Sequence, residues 1–299
     1  MNNFVNHPFL RSSPMPPNNG QYVFNLEDLN PPKLDFTQPL RDNGLLLPDL
    51  SKIDFNQLFA KQSIDENMTL REIIQTNCPL GWESVFKAAE GEYEELELFL
   101  KMKNEIEKSQ YIPGPEKLFN AFHLCPLYNV RVVIMGQDPY HTPGMANGMA
   151  FSVERSNPTI PPSLRNIFKE LSRSITSFRY PGHGDLTSWA RQGVLLLNSC
   201  LTVHAGKAND HGKRWMGFIR HVINGIEHTN PKCIFVMWGA EAQNLIKGIS
   251  QKMYDNGLKT SHPSPLSFNK GFNGCDHFKL INERLVANGD VEIDWNLDP

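Results

Sequence analysis

Residues 130–151 read VRVVIMGQDPYHTPGMANGMAF, and the rest of the chain is organised around them. Val130 and Val132 to Met135 make an apolar run broken only by Arg131. A short β-branched run ended by a glycine reads as a buried strand of a parallel sheet. Gly136 stops it. Gln137, Asp138, Tyr140 and His141 then crowd around Pro139, where the strand gives out. In open α/β sheets the crevice beyond the carboxyl ends of the strands is where ligands bind. By itself an Asp-Pro pair reads as a turn that changes chain direction. The whole cluster together points to chemistry.

Three more segments repeat the pattern. Gly193-VLLLN-Ser199 is a second apolar strand ending on Asn198, and Cys233-IFVMW-Gly239 a third ending on glycine. Lys259-Thr-Ser261-His262 is a short fourth, running into His262-Pro-Ser264-Pro-Leu266-Ser267. Amphipathic segments separate them: Leu164, Ile167, Phe168 and Leu171; Ile219, Val222, Ile223 and Ile226; Leu245 and Ile246. The fold class is therefore α/β, a central four-stranded parallel sheet flanked by helices on both faces. In such a sheet the four strand ends lie along one edge. Gln137/Asp138, Asn198, Gly239 and His262 then meet at one crevice.

Upstream, residues 1–66 are rich in Asn, Pro and Ser, and read as a low-order tail carrying a docking motif for a protein partner. The catalytic domain is expected over 67–299. Thr69 and Glu72 have capping-box spacing. Trp82 to Lys108 is acidic and helix-favouring, with Phe86, Leu96, Phe99, Leu100 and Ile106 as its apolar stripe. The closing helix spans Cys275 to Asn288.

With 299 residues, 40% of them hydrophobic, and a formal net charge of −3, the chain can build a sizeable core and gives no global sign of a polyanionic partner. No apolar run approaches the roughly 18 residues a membrane span needs, so no membrane association is expected. The N-terminal residues have neither a signal-peptide nor a transit-peptide pattern. Five scattered cysteines without a CxxC pair argue against a metal site or a disulfide framework and for reduced thiols in an intracellular protein.

Asp138 and His262 are a carboxylate and an imidazole, the vocabulary of acid–base work. There is no GxSxG elbow, no HExxH and no GxxxxGK[ST] loop, so acyl transfer, metal hydrolysis and nucleoside triphosphate use are unsupported. Asn198 offers one donor and one acceptor, suited to the edge of a planar heterocycle, though it would equally serve to tie down a loop. Taken alone, His262 reads as well as a satisfied buried histidine, and Tyr140 and Phe151 as core aromatics. Pro161-Pro162-Ser163, Gly239-Ala240 and His262-Pro-Ser264-Pro are short rigid loops whose backbone N–H groups can grip phosphates. Leu266 stands beside them. It is either an apolar wedge that unstacks a duplex or a leucine folded into the core.

These motifs resemble those of family 1 uracil-DNA glycosylases. GQDPYH at 136–141 looks like the family's water-activating loop, and LLLN at 195–198 like its uracil-reading strand. HPSPLS at 262–267 is similar to its DNA-intercalation loop. PPSL at 161–164, PGHGDL at 181–186 and WGAEAQ at 238–243 match as well. The likeness covers about residues 70–297, in the family's order.

The resemblance implies a monofunctional DNA-repair hydrolase that flips deoxyuridine out of the stack and cleaves its N-glycosidic bond. Asp138 would position the attacking water and offset charge on the sugar, and neutral His262 would donate to the uracil oxygen. Asn198 would pair with the uracil edge, Phe151 would stack on the ring and Tyr140 would fill the place of thymine's methyl. Gln137 would contact the ring through its backbone, and His141 would support the loop. Pro161, Pro162, Ser163, Gly239, Ala240, Ser264 and Ser267 would hold phosphates while Leu266 enters the duplex. No cofactor or metal is implied.

The expected partner is uracil-containing DNA, single- or double-stranded, met by a monomer. The expected place is an intracellular, DNA-containing compartment: the nucleus in a eukaryotic or viral setting, the cytoplasm in a bacterial one. Two departures stand out. Ala240 occupies a position where relatives often carry serine, and the 209–215 loop is one residue short. A DNA-binding or processivity subunit that has lost its chemistry is the competing reading. Intact Asp138 and His262 weigh against it.

Overall fold

The computed structural model describes residues 64–65 and 67–298; the tail reading for residues 1–66 lies almost wholly outside these. Structure opens with α1 (Leu70–Thr76). Its Thr69 hydroxyl accepts from the Glu72 N–H while the Glu72 carboxylate accepts from the Thr69 N–H, so the expected capping box is present. The acidic segment divides into α2 (Glu83–Ala88) and α3 (Glu90–Glu107) rather than running on as one helix. Ala89 between them is fully buried. The Phe86 carbonyl, which a continuous helix would pair with Glu90, instead accepts from the Tyr93 hydroxyl. Tyr93, Leu96 and Leu100 face the core. Ile106, expected among them, is exposed together with Leu98 and Met102, so the apolar stripe of α3 is narrower than its composition suggests.

After α4 (Asn120–Leu124) come β1 (Val132–Gly136), α5 (Pro162–Ser174), α6 (Thr187–Arg191) and β2 (Val194–Asn198). Then follow α7 (Met216–Thr229), β3 (Ile234–Trp238), α8 (Ala240–Ile249), α9 (Gln251–Asn256), β4 (Leu258–Thr260) and α10 (His277–Asn288). The four strands form one parallel sheet in the order β2-β1-β3-β4. Every residue of β1, β2 and β3 is buried. Successive residues point to opposite faces, so full burial requires cover on both. The chain leaves β1 for one neighbour and returns past it to the other. The connections therefore reverse direction at β1, and with right-handed crossovers the covering segments fall on opposite faces. That reversal marks the crevice at the carboxyl end of β1 as the place for a ligand.

The fourth strand ends two residues earlier than expected. The Thr260 carbonyl accepts from the Gly239 N–H at 2.9 Å, and Ser261 then spends its hydroxyl on the Ser267 carbonyl and the Phe272 N–H. Ser261 and His262 belong to the loop. The closing helix likewise starts at His277, because the Gly274 and Asp276 N–H groups both donate to Glu170, at 2.8 and 2.9 Å. Glu170 is fully buried on α5 and also takes two bonds from Arg173, at 3.0 and 2.7 Å. Burial pushes its carboxyl up, but Arg173 and the two backbone donors outweigh that and hold it below the ordinary range. All five cysteines are free thiols.

Candidate active site at the carboxyl edge of the sheet

Gly136 and Asn198 are register partners at the ends of β1 and β2. A Cβ on Gly136 would lie 2.3 Å from Asn198 Oδ1 and 2.7 Å from Ala150 Cβ. Only a hydrogen side chain lets the Asn198 amide and the 148–151 segment close on the strand end. Asn198 is 5% exposed, and its amide makes no hydrogen bond among the described residues. An amide that no neighbouring side chain or backbone group engages is available to a ligand. The next loop is clamped to this edge. Ser199 N–H donates to the Gly136 carbonyl at 3.1 Å, and the Gln137 carbonyl accepts from Cys200 N–H and Ser199 Oγ, at 2.9 and 2.8 Å. With its carbonyl taken, the Gln137 backbone keeps its N–H for a ligand.

Asp138 follows at once, half-buried. Its Oδ2 accepts from the Asn209 N–H at 2.6 Å. Burial raises its pKa above the usual aspartate value, against the opposing pull of that N–H and of His141. The His141 carbonyl accepts from Gly206 N–H at 3.1 Å, so the 204–209 segment grips the 138–141 loop at two points. Tyr140 donates its hydroxyl to the Phe151 carbonyl at 3.1 Å. Phe151 itself has φ +64°, a left-handed conformation costing a side-chain-bearing residue about 1–3 kcal/mol. Its ring lies 5.5 Å from the Trp238 ring and 5.9 Å from the His262 ring, centroid to centroid.

His262 arrives from the far edge, just past β4. Its Nδ1 accepts from the Ser264 N–H at 3.1 Å, so the neutral ring carries its proton on Nε2. Burial lowers its pKa below the usual histidine value. Burial therefore favours the neutral form of both groups: it suits His262 as an uncharged donor and works against the Asp138 charge. Gly239, at φ +93°, turns the chain from β3 into α8 beside His262. A Cβ there would stand 3.1 Å from His262 Cβ. A cleft of about 160 Å³ opens between Gln137, Ser199, Trp238, Gly239, Ala240 and His262. Asp138, Tyr140, Phe151 and Asn198 are outside its lining: Tyr140 is tied to Phe151, Asn198 stands against Gly136, and Asp138 is held by Asn209.

The surrounding loops are rigid. Pro161 caps α5, Pro162 is its first residue, and Ser163 is half-buried in the first turn. Ala240 is exposed as the first residue of α8. The Ser267 hydroxyl donates to the His262 carbonyl at 2.7 Å, so the Ser264 hydroxyl is the donor in the 2.8 Å contact between the two serines. Both hydroxyls are committed within the loop, and contact with a phosphate requires Ser264 to turn outward. The Pro263 carbonyl accepts from Asn166 Nδ2 at 2.8 Å. On this braced tip Leu266 is 86% exposed; it is not folded into the core.

Sequence reasoning missed Asn209, Trp238, Asn166 and Glu170. Trp238 was legible only as a strand residue, and Asn209 gave no signal because its contribution is a backbone N–H.

The family model of the uracil DNA glycosylase superfamily matches residues 122–286. The human uracil-DNA glycosylase is 44% identical over 254 residues, covering 83% of this chain and 80% of its own. The Escherichia fergusonii uracil-DNA glycosylase is 51% identical over 185 residues, 61% of this chain and 80% of its own. Among solved structures, mimivirus uracil-DNA glycosylase superposes with a TM-score of 0.65 at 29% identity, covering 82% of this chain and 90% of that one. Strand order, the gathered strand ends and these likenesses agree: the chain belongs to the uracil-DNA glycosylase superfamily.

Proposed function

We propose that this protein excises uracil from DNA, hydrolysing the N-glycosidic bond of deoxyuridine and so starting base-excision repair. Water adds to the sugar carbon as its bond to the base nitrogen breaks, and the base leaves with the electron pair. Positive charge grows on the sugar and negative charge on the uracil oxygens.

Asp138, as the carboxylate, orients the water and faces the sugar's charge. Its Oδ2 is held by Asn209, leaving Oδ1 for the water. His262 presents Nε2–H to the uracil oxygen where charge collects, because the Ser264 N–H occupies Nδ1. Asn198 offers its unpartnered amide to the polar edge of the base, which cytosine would leave mismatched. The Gln137 N–H contacts the ring, Phe151 stacks on it and Tyr140 closes the side where thymine carries a methyl group. Leu266 fills the space the extruded nucleotide vacates. Ser163, Gly239, Ala240, Ser264 and Ser267 contact phosphates at rigid loop ends, aided by the stiff entry through Pro161 and Pro162.

The observation carrying this reading is the tautomer of His262. A neutral donor opposite a buried carboxylate suits a departing anionic base. The test is release of free uracil from single- and double-stranded uracil-DNA with EDTA present. No release would leave a DNA-binding subunit as the better reading. We also infer that residues 1–66 dock a protein partner in a DNA-containing compartment, on their composition alone. Capture of one specific partner by the whole chain, lost on deleting the tail, tests that reading.

A further inference from the structure

Behind the Asp138 loop, His204, Asp210 and His211 converge, and the mechanism uses none of them. His204 Nδ1 and His211 Nε2 are 2.9 Å apart. Asp210 Oδ2 lies 3.5 Å from the first and 3.4 Å from the second. The circle through these three atoms has a radius of about 1.9 Å, as those distances require. An ion slightly off their plane would meet all three at the roughly 2.0–2.2 Å of zinc–nitrogen and zinc–oxygen bonds. Both imidazoles are fully buried. Asp210 Oδ2 is buried too and accepts no hydrogen bond among the described residues. Lys103 Nζ is 3.1 Å from it, but its hydrogen bond goes to Oδ1, at 3.2 Å.

The outer contacts point the same way. Asn104 Nδ2 donates to Gln110 Oε1 at 2.7 Å, which turns Asn104 Oδ1 towards His204 Nε2 at 3.1 Å. His204 therefore carries its proton on Nε2 and aims the Nδ1 lone pair at His211. Thr202 Oγ1 lies 2.9 Å from His211 Nδ1 and accepts from Trp215 Nε1 at 2.7 Å. That hydroxyl can donate to Nδ1 or accept from it. Metal-bound histidines are oriented in this way, each ring's other nitrogen held by an oxygen. Two ring nitrogens 2.9 Å apart need a proton or a cation between them.

We propose that His204, Asp210 and His211 bind a zinc-class divalent ion that locks the 204–211 loop and, through Asn209, the position of Asp138. On binding, the proton between the rings moves from His211 Nε2 to Nδ1, Thr202 turns from donor to acceptor, and the ion takes the two freed lone pairs and the carboxylate. Lys103 withdraws towards Glu107, its other partner at 3.3 Å. A water completes the tetrahedron. The ion takes no part in bond cleavage, so uracil release in EDTA is compatible with it.

The test uses the full chain, stripped with EDTA and titrated with zinc chloride, then with cobalt chloride as a spectroscopic probe. One zinc per chain is expected, with cobalt d–d absorption of tetrahedral type and slower hydrogen exchange at the Asn209 amide. Asp210→Asn, which keeps the shape of the site, should weaken zinc at least tenfold, and His211→Gln should abolish the cobalt signal. No saturable binding to the folded wild-type chain would overturn the proposal. So would binding undiminished in both variants, which would place the ion elsewhere.

Discussion

The Asn209 N–H donates to Asp138 Oδ2 at 2.6 Å across 71 residues of sequence. A single backbone donor fixes which oxygen of the carboxylate is spent and which is free. It also moderates, without cancelling, the burial that makes Asp138 hard to ionise. His262 is shifted in the opposite sense. The proposed mechanism needs Asp138 ionised and His262 neutral. Both conditions fail on acidification. The rate of uracil release should therefore fall as pH drops, Asp138 taking up its proton above the ordinary aspartate value of 3.8 and His262 below the ordinary histidine value of 6.5. Single-turnover rates across that range check this; a limb above 6.5 would contradict it.

Asp138→Asn and His262→Leu should each slow single-turnover release about a hundredfold or more, the range expected of acid–base and oxyanion-stabilising groups. The two should differ in stability. The folded state disfavours the Asp138 charge, since its value is raised. A raised carboxylate helps folding only below its unfolded value and opposes it at neutral pH. Asp138→Asn should then melt higher than the parent at pH 7, while activity collapses. A lower melting temperature would show that the carboxylate is structural.

Tyr140→Ala removes the ring whose hydroxyl donates to the Phe151 carbonyl and should admit a methylated base. Thymine release from ordinary DNA, undetectable in the parent, should become measurable. If it stays undetectable while uracil release survives, another side chain excludes the methyl group.

Leu266 makes no use of its exposure in the free protein. Leu266→Ala should leave stability unchanged and lower the rate on double-stranded uracil-DNA at least severalfold more than on single-stranded DNA, where there is no stack to open. Equal losses on both substrates would remove the wedge from the mechanism.

Glu170 accepts from Arg173, Gly274 and Asp276. Glu170→Ala strands two backbone donors at the start of α10 and should cost about 2–4 kcal/mol by urea unfolding. Because its carboxyl is held below the ordinary 4.5, its contribution is complete above that value and is lost as pH falls below it. The gap between parent and variant should therefore narrow in acid.

Most of the fold was legible because its signals are local. VVIMG, VLLLN and IFVMW are each apolar on both faces, and full burial followed. The loops holding Asp138 and His262 could be placed because each follows a strand by one or two residues. What escaped depends on long-range pairing. The break at Ala89 rests on the Tyr93 hydroxyl taking the Phe86 carbonyl. The exposed Ile106 looks like its buried neighbours in composition. His204, Asp210 and His211 match no familiar metal-binding spacing, and the ring orientation of His204 is set by Asn104 from a helix a hundred residues away.

The strained backbone at Phe151 has a kinetic meaning. Its carbonyl is tied to Tyr140, the preceding Ala150 N–H to the Leu196 carbonyl at 3.0 Å, and its ring is wedged beside Trp238 and His262. A receptacle braced on so many sides has no second shape to offer a misfit. Adaptation falls to the nucleic acid, and the search along a genome is paced by how often a base swings out, with each wrong one let go before the enzyme has invested anything in it.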